Sequence, residues 1–242
     1  MKVSQKIEKQ LQNIPEGKTF RYDDLIIESS EYEAATKSIG RFVNAGTLKR
    51  ATKGVFYKPK QTIFGVIAPP DEDIIAQYLF KKGRRIAYIT GASLYNQMGL
   101  TTQIPFTIVV ATKTRRSEVI IGKVKIKPTR SYADVTNENY KLLGILDALK
   151  DFKIIPDIDR MSAVIILKNK IKELDTHEIY ELMRYALNYP PRTRALLGAI
   201  LEIIMGNSFD LTVLKKSFSS LSQYKMGITT NILPNATKWN LK

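Results

Sequence analysis

Apolar residues between positions 34 and 60 recur first at helical and then at strand spacing. The positions that can share one buried helical stripe are Ala35, Ile39, Phe42 and Val43. Gly46 fits the left-handed position that closes a helix. Residues 48–50 and 55–58 then read as two short strands joined by a turn at 51–54. The pattern predicts a helix, a glycine stop and a hairpin in direct succession.

The preceding residues predict two further helices. Val3, Ile7 and Leu11 form an apolar stripe that ends at the turn signal of residues 15–17. Residues 21–26 read as a short second helix, because its two aspartates would lie near the N-terminus, where the helix dipole favours negative charge. The order helix, helix, helix, hairpin predicts a winged helix-turn-helix over residues 1–60.

Beyond residue 60 the pattern predicts a mixed unit. Residues 61–70 contain a glycine and end in Pro-Pro, which indicates an extended connector and a domain boundary. The acidic run Asp71-Glu72-Asp73 is typical of a helix start. The elements expected after that helix are a strand at 86–89, a helix at 91–98, and strands at 106–111, 118–121 and 123–127. We expect a mixed α+β unit with antiparallel strands over residues 61–136.

Helical periodicity dominates the rest of the chain. The expected helices cover residues 140–150, 160–172, 177–188, 192–205 and 211–218. Residues 227–242 form a tail whose apolar side chains, Trp239 among them, are expected to pack on the body or on a partner. Residues 137–242 are therefore expected to be a helical C-terminal part with a tail. The fold class predicted for the whole chain is α+β.

Composition adds a strong charge to this picture. The chain has 242 residues, a formal net charge of +15 and a sequence pI near 9.8, which favours an acidic partner. It has no cysteine, which excludes disulfides and thiolate metal sites. No apolar run approaches the length of a membrane span, and the N-terminus lacks the apolar core of a secretion signal. We therefore expect a cytoplasmic protein without a membrane partner.

The positive charge is concentrated in the predicted helix and hairpin. From Ala34 through Pro70 there is no acidic residue, whereas seven lysines and arginines are present. A polyanion is the expected partner, and double-stranded DNA is the favoured one. The expected DNA-binding residues are Thr36, Lys37, Arg41 and Asn44 on the outward face of the helix, and Lys49, Arg50 and Lys53 in the hairpin. The alternative is a helix-hairpin adaptor with a solvated basic face that docks a protein.

The predicted strands of the middle unit are also basic. Their cations, Lys113, Arg115, Arg116, Lys123, Lys125, Lys127 and Arg130, outnumber the single acid Glu118. A second nucleic-acid surface is one interpretation. The other is that these lysines protect exposed edge strands from pairing with other chains.

Residues for catalysis or metal binding are scarce. His177 is the only histidine, and neither a GxGxxG nor a Walker-type phosphate loop occurs. Asp157 and Asp159 fit a loop and a helix cap better than a metal site. We expect no catalytic residue, no metal and no cofactor, and hence no enzyme. The open alternative is a nucleic-acid-processing enzyme with a site in the basic middle unit.

Three segments considered together carry a family resemblance. PEGKTFRYDDL, KSIGRFVNAGTLKRATKGVFYKP and ITGASLYNQMGLTTQIP follow in that order, and over roughly residues 1–130 the chain resembles the AbiEi-like antitoxin and transcriptional-regulator family. The resemblance implies an N-terminal winged helix that binds operator DNA. It also implies repression of the chain's own operon and antagonism of a nucleotidyltransferase toxin in a type IV toxin-antitoxin system. The helical part after Asn137 does not take part in the resemblance.

Overall fold

The computed structural model describes residues 2–63, 65–114, 117–121, 124–206 and 209–242, and its fold class is α+β as predicted. The elements of the first sixty residues are α1 (Val3–Gln12), β1 (Thr19–Arg21), α2 (Tyr32–Asn44), β2 (Lys49–Thr52) and β3 (Val55–Tyr57). The three strands form an antiparallel sheet in the order β1-β3-β2. Ile7 of α1, Ile39 of α2 and Phe56 of β3 meet in the core between the helices and this sheet.

The expected second helix is a single 3-10 turn, Tyr22–Asp24, and Arg21 belongs to β1. The carboxylate of Asp24 accepts a hydrogen bond from the backbone N–H of Arg21 at 2.8 Å, which closes a tight local turn. Leu25 is already extended after it. The two aspartates therefore stabilise a turn and do not open a full helix.

The expected extended connector is a hairpin of β4 (Lys60–Thr62) and β5 (Gly65–Ile67), and α3 (Asp71–Leu79) follows it. Helix α3 packs directly on β1. The amide nitrogen of Gln77 donates to the carbonyl of Thr19 at 3.1 Å, and the guanidinium of Arg21 donates to the carbonyl of Gln77 at 3.0 Å. An apolar cluster that includes Val55 and Ile74 also crosses this junction.

The middle of the chain contains a four-stranded mixed sheet. The elements of this part of the chain are β6 (Phe80–Lys81), β7 (Arg84–Arg85), β8 (Ala87–Thr90), α4 (Ala92–Gln97), β9 (Thr107–Thr112), β10 (Val119–Ile121) and β11 (Val124–Arg130). The strand order is β10-β11-β9-β8. The expected β10–β11 hairpin is confirmed as an antiparallel pair. The expected antiparallel strands form only part of this sheet: β8 pairs with β9 antiparallel, whereas β9 and β11 pair in parallel.

The helices of the C-terminal part cover the side of this sheet that carries Tyr88 and Ala111. They are α5 (Tyr140–Asp151), α6 (Arg160–Lys172), α7 (Thr176–Ala186), α8 (Pro191–Met205) and α9 (Thr212–Lys216). The carboxylate of Asp159 caps α6 by accepting from the N–H of Ser162 at 3.1 Å, as its predicted role as a helix cap requires. Within the described ranges, every helix is too short or too polar to cross a bilayer.

A buried carboxylate, Asp147 of α5, joins the helices to the sheet. It accepts hydrogen bonds from the hydroxyls of Tyr88 at 2.8 Å, Thr90 at 2.7 Å and Tyr189 at 3.2 Å. Burial, and after it the negative charge of Asp147, raises the pKa of both tyrosines, so their hydroxyls remain donors. Strand β8, α5 and the chain leading into α8 are thereby held in one arrangement.

The C-terminal tail packs on the body of the protein, which is one of the two expected outcomes. The ring of Trp239 is buried against Gly198 of α8, where an added Cβ would overlap it. The indole N–H donates to the carboxylate of Glu202 at 2.8 Å. The absence of a side chain at Gly198 therefore creates the space for the only tryptophan of the chain.

Candidate nucleic-acid interface

Helix α2 has one buried and one exposed face. Ala35 and Ile39 are fully buried, and the hydroxyl of Ser38 is satisfied internally by donating to the carbonyl of Ala34 at 2.8 Å. All four predicted helix residues lie on the other side and are exposed: Thr36, Lys37, Arg41 and Asn44. A Cβ at Gly40 would meet no atom within 4 Å, so the centre of this face presents bare backbone. The face is open, polar and cationic.

The cations of this face have partners on the same helix. The ammonium of Lys37 lies 2.7 Å from the carboxylate of Glu33, and 72% and 83% of these side chains remain exposed. The guanidinium of Arg41 donates to the hydroxyl of Ser38 at 3.1 Å. The acid-free stretch begins one residue after Glu33, so the interpretation of an unopposed positive face was incomplete. An exposed pair of this kind contributes little to stability and is easily exchanged for another partner.

The hairpin of β2 and β3 places the other predicted residues beside this helix in the same small fold. Lys49 and Arg50 lie on β2, which is an edge strand, and Lys53 lies in the turn. All three are exposed. A register shift between Arg50 and Thr52 marks a bulge, and Gly54 takes a φ of +75°, which closes the turn. The hairpin therefore presents its cations outward while all of β3 is buried.

A groove of about 870 Å³ adjoins the hairpin, between the N-terminal sheet and the strands of the middle unit. Its cationic lining residues are Arg21, Arg50, Lys53 and Lys81. Two tyrosines, Tyr22 and Tyr32, also line it, with ring centroids 5.6 Å apart. Lys81 pairs with Asp23 at 3.1 Å.

The sequence interpretation included Arg50 and Lys53 but missed Arg21, Lys81 and the two tyrosines. These residues come from separate segments that only the fold brings together. No local pattern could therefore have found them. At residues 21–24 the two aspartates, Asp23 and Asp24, indicated a helix start instead.

Two lysines of the basic region in the middle unit have ion-pair partners. Lys125 pairs with Glu118 at 2.7 Å, which lowers the pKa of that carboxyl, and Lys113 pairs with Asp134 at 3.8 Å. Three of the predicted cations, Arg115, Arg116 and Lys123, lie outside the described residues. Both interpretations of these strands, a nucleic-acid surface and edge protection, stay open.

The acidic residues that could serve chemistry have structural surroundings. Asp71, Glu72 and Asp73 form the first turn of α3, where the helix dipole favours them. Asp157 accepts a hydrogen bond from the side chain of Gln103 at 3.0 Å. Across the ranges that the structure describes, no three histidine, aspartate or glutamate side chains are grouped so that they could hold a metal ion.

Fold and surface together define an α+β protein that presents a cationic helix and hairpin near its N-terminus. The chain belongs to a family of unknown function, DUF6088, which it matches over residues 6–185. This match runs from α1 into α7, so the helix-hairpin surface and the mixed sheet both lie within the family region. No curated protein matches the chain.

Proposed function

We propose that the chain is a transcriptional regulator whose N-terminal unit is a winged helix that binds double-stranded operator DNA. The observation that carries the proposal is the exposed face of α2, on which Lys37 and Arg41 stand one turn apart while Ala35 and Ile39 fill the core behind them. The element order and the strand order β1-β3-β2 support a winged-helix topology. A 3-10 turn takes the place of the second helix.

In this proposal α2 enters the major groove. Side chains four residues apart lie on the same helical face, so Lys37 and Arg41 can reach neighbouring base pairs together. The bare backbone at Gly40 allows a close approach between them. Lys49, Arg50 and Lys53 lack a helical frame for base reading and contact phosphates, which orients the helix on the duplex.

We further propose that the protein serves as an antitoxin, repressing its own operon and countering a nucleotidyltransferase toxin encoded nearby. The support is the resemblance of three sequence segments to AbiEi-like antitoxins. If the proposal is right, a neighbouring reading frame encodes a nucleotidyltransferase-like protein, and coexpression of the full chain relieves its toxicity.

The DNA-binding proposal is tested with the full chain and the region upstream of its gene. We expect salt-dependent binding that is tighter than binding to unrelated duplex, and we expect the Lys37→Ala/Arg41→Ala variant to lose that preference. If Arg41 reads a guanine, the variant loses roughly 1 to 3 kcal/mol of binding free energy that distinguishes the correct base at one position. The control is Lys9→Ala, an exposed lysine of α1. An unchanged preference in the double variant would refute the assignment of α2.

A further inference from the structure

A second cationic site lies in the C-terminal part, where the end of α5, the start of α8 and residues 223–226 surround a cavity of about 370 Å³. Of the described residues that line it, four are cationic and none is acidic. The four are Lys150 and Lys153 from α5 and the chain after it, Arg192 from α8, and Lys225. Positive charges from three separate segments therefore converge on one space.

Most of these charges are not neutralised within the described part of the chain. Lys150 lies 3.4 Å from Asp147 and 3.5 Å from Asp151. Among the ion pairs of the described residues, none involves Lys153, Arg192 or Lys225, and all three side chains are exposed. Bringing like charges together is unfavourable, so an anion in the cavity would relieve the repulsion.

The start of α8 has the opposite charge from the one its dipole favours. The 15-residue helix begins Pro-Arg-Thr-Arg, with no acidic residue in its first turn and no side-chain cap. The N-terminal end of a helix carries partial positive charge and attracts anions, so Arg192 and Arg194 are electrostatically misplaced there. Among the described residues no ion pair or side-chain cap offsets these two arginines, and a local rule broken in this way points to a ligand that supplies the compensation.

The walls of the cavity are held in place without a ligand. Just before α8, the Tyr189 hydroxyl is fixed on Asp147 at 3.2 Å, and its ring stacks on Tyr132 with centroids 4.2 Å apart. The segment that carries Lys225 is held by the backbone N–H of Tyr224, which donates to the carbonyl of Asn240 at 2.8 Å. Because these segments are already positioned, only the exposed cationic side chains have to be ordered when a ligand binds.

We infer that this cavity binds a phosphate-bearing ligand. Arg192 offers a planar fork for two phosphate oxygens, and the lysines add mobile point charges. Tyr224 and Gln223 line the same space and are available to the remainder of the ligand. Two sources supply this chemistry, the phosphate chain of a free nucleotide and the backbone of a nucleic acid. The inference is independent of the surface on α2.

The test compares the full chain with its Lys153→Ala/Arg192→Ala/Lys225→Ala variant by isothermal titration calorimetry. The probes are inorganic pyrophosphate, ATP and a short duplex DNA. A matched control, Lys9→Ala/Lys18→Ala/Lys141→Ala, removes the same formal charge at exposed positions away from the cavity and from the proposed DNA surface. Circular dichroism establishes that both variants fold.

We expect pyrophosphate and ATP to bind the wild-type and control chains, and to bind the cavity variant at least roughly tenfold more weakly. Arg192→Lys, which keeps the charge but removes the fork, should fall between them. A weaker affinity for duplex alone in the cavity variant would support a nucleic-acid backbone as the ligand. Equal binding of all three probes by both triple variants, or no binding by the wild type, would overturn the inference.

Discussion

At the scale of single residues, the contact between Lys37 and Glu33 determines how much of the proposed DNA surface is available. The two groups lie 2.7 Å apart on an exposed helix face, so water and salt screen their attraction. A phosphate or a base that approaches Lys37 must compete with a carboxylate one turn away. Glu33 also repels DNA directly, since both are negative. If α2 binds DNA as proposed, Glu33 therefore weakens the affinity for DNA, and it contributes little to the stability of the fold.

The first prediction follows from that competition. Glu33→Gln should tighten binding to any duplex, and the slope of log affinity against log salt should steepen by roughly 0.9 if Lys37 gains one phosphate. The free energy of unfolding should change by less than about 0.5 kcal/mol, because the pair is exposed. Fluorescence anisotropy at several salt concentrations measures the slope. Glu8→Gln, at an exposed position of α1, is the control, and an equal gain there would indicate a general charge effect.

The residues of α2 also show what sequence patterning can and cannot supply. The buried positions Ala35 and Ile39 and the exposed positions Lys37 and Arg41 follow from helical spacing alone. The burial of Ser38 does not, because it depends on a hydroxyl that bonds back to its own helix. The tyrosines of the adjoining groove were missed because their meeting depends on tertiary packing.

At the scale of elements, the proposed function assigns phosphate binding to the β2–β3 hairpin and base reading to α2. This hairpin is the wing of the proposed winged helix. If the wing contacts only phosphates, removing its cations should weaken binding to every duplex by the same factor. In Lys49→Ala/Arg50→Ala/Lys53→Ala we expect equal weakening for operator and unrelated duplex, and a salt slope shallower by roughly 0.9 for each phosphate that the wing no longer neutralises. Salt titrations with both duplexes measure this. A loss of affinity for the operator alone would show that the wing reads bases.

Helix α8 provides a second prediction at this scale, about stability. Because Arg192 opposes the helix dipole, Arg192→Gln should raise the free energy of unfolding by roughly 0.3 to 1 kcal/mol in phosphate-free buffer at low salt. Lys172→Gln removes a cation from the C-terminal turn of α6, where the dipole favours it, and should lower the free energy of unfolding. Urea denaturation gives both values. A destabilised Arg192→Gln would show that the arginine makes a structural contact and is not misplaced.

The elements were predicted unevenly, for identifiable reasons. Long helices such as α6 carry start signals and repeated spacing, and its observed range, Arg160–Lys172, matches the expected one. The 3-10 turn at Tyr22–Asp24 was read as a helix because three residues contain too little periodicity to distinguish the two. The parallel pairing of β9 with β11 is a property of the sheet, and no strand encodes it locally.

At the scale of the whole molecule, the N-terminal unit is joined to the mixed sheet by more than a connector. Arg21 and Thr19 of β1 are hydrogen-bonded to Gln77 of α3, and Val55 shares an apolar cluster with Ile74. The DUF6088 match likewise runs across residue 60 without a break. A predicted boundary at residue 60 would leave β1 and β3 without the helix that covers them.

The last prediction concerns where the chain can be divided. A fragment of residues 1–82 keeps α3 on β1, whereas residues 1–60 expose Val55, which is fully buried in the whole chain. Uncovering one such side chain costs roughly 1.5 to 3 kcal/mol, before the hydrogen bonds to Gln77 are counted. We therefore expect the longer fragment to unfold at clearly higher urea concentration and to bind operator DNA. The shorter fragment should unfold at lower urea concentration and bind operator DNA more weakly. Residues 83–242 should bind no operator, because α2 and the wing are absent. Equal stability of the two N-terminal fragments, measured by circular dichroism in urea, would show that α3 is dispensable and that the unit is complete at residue 60.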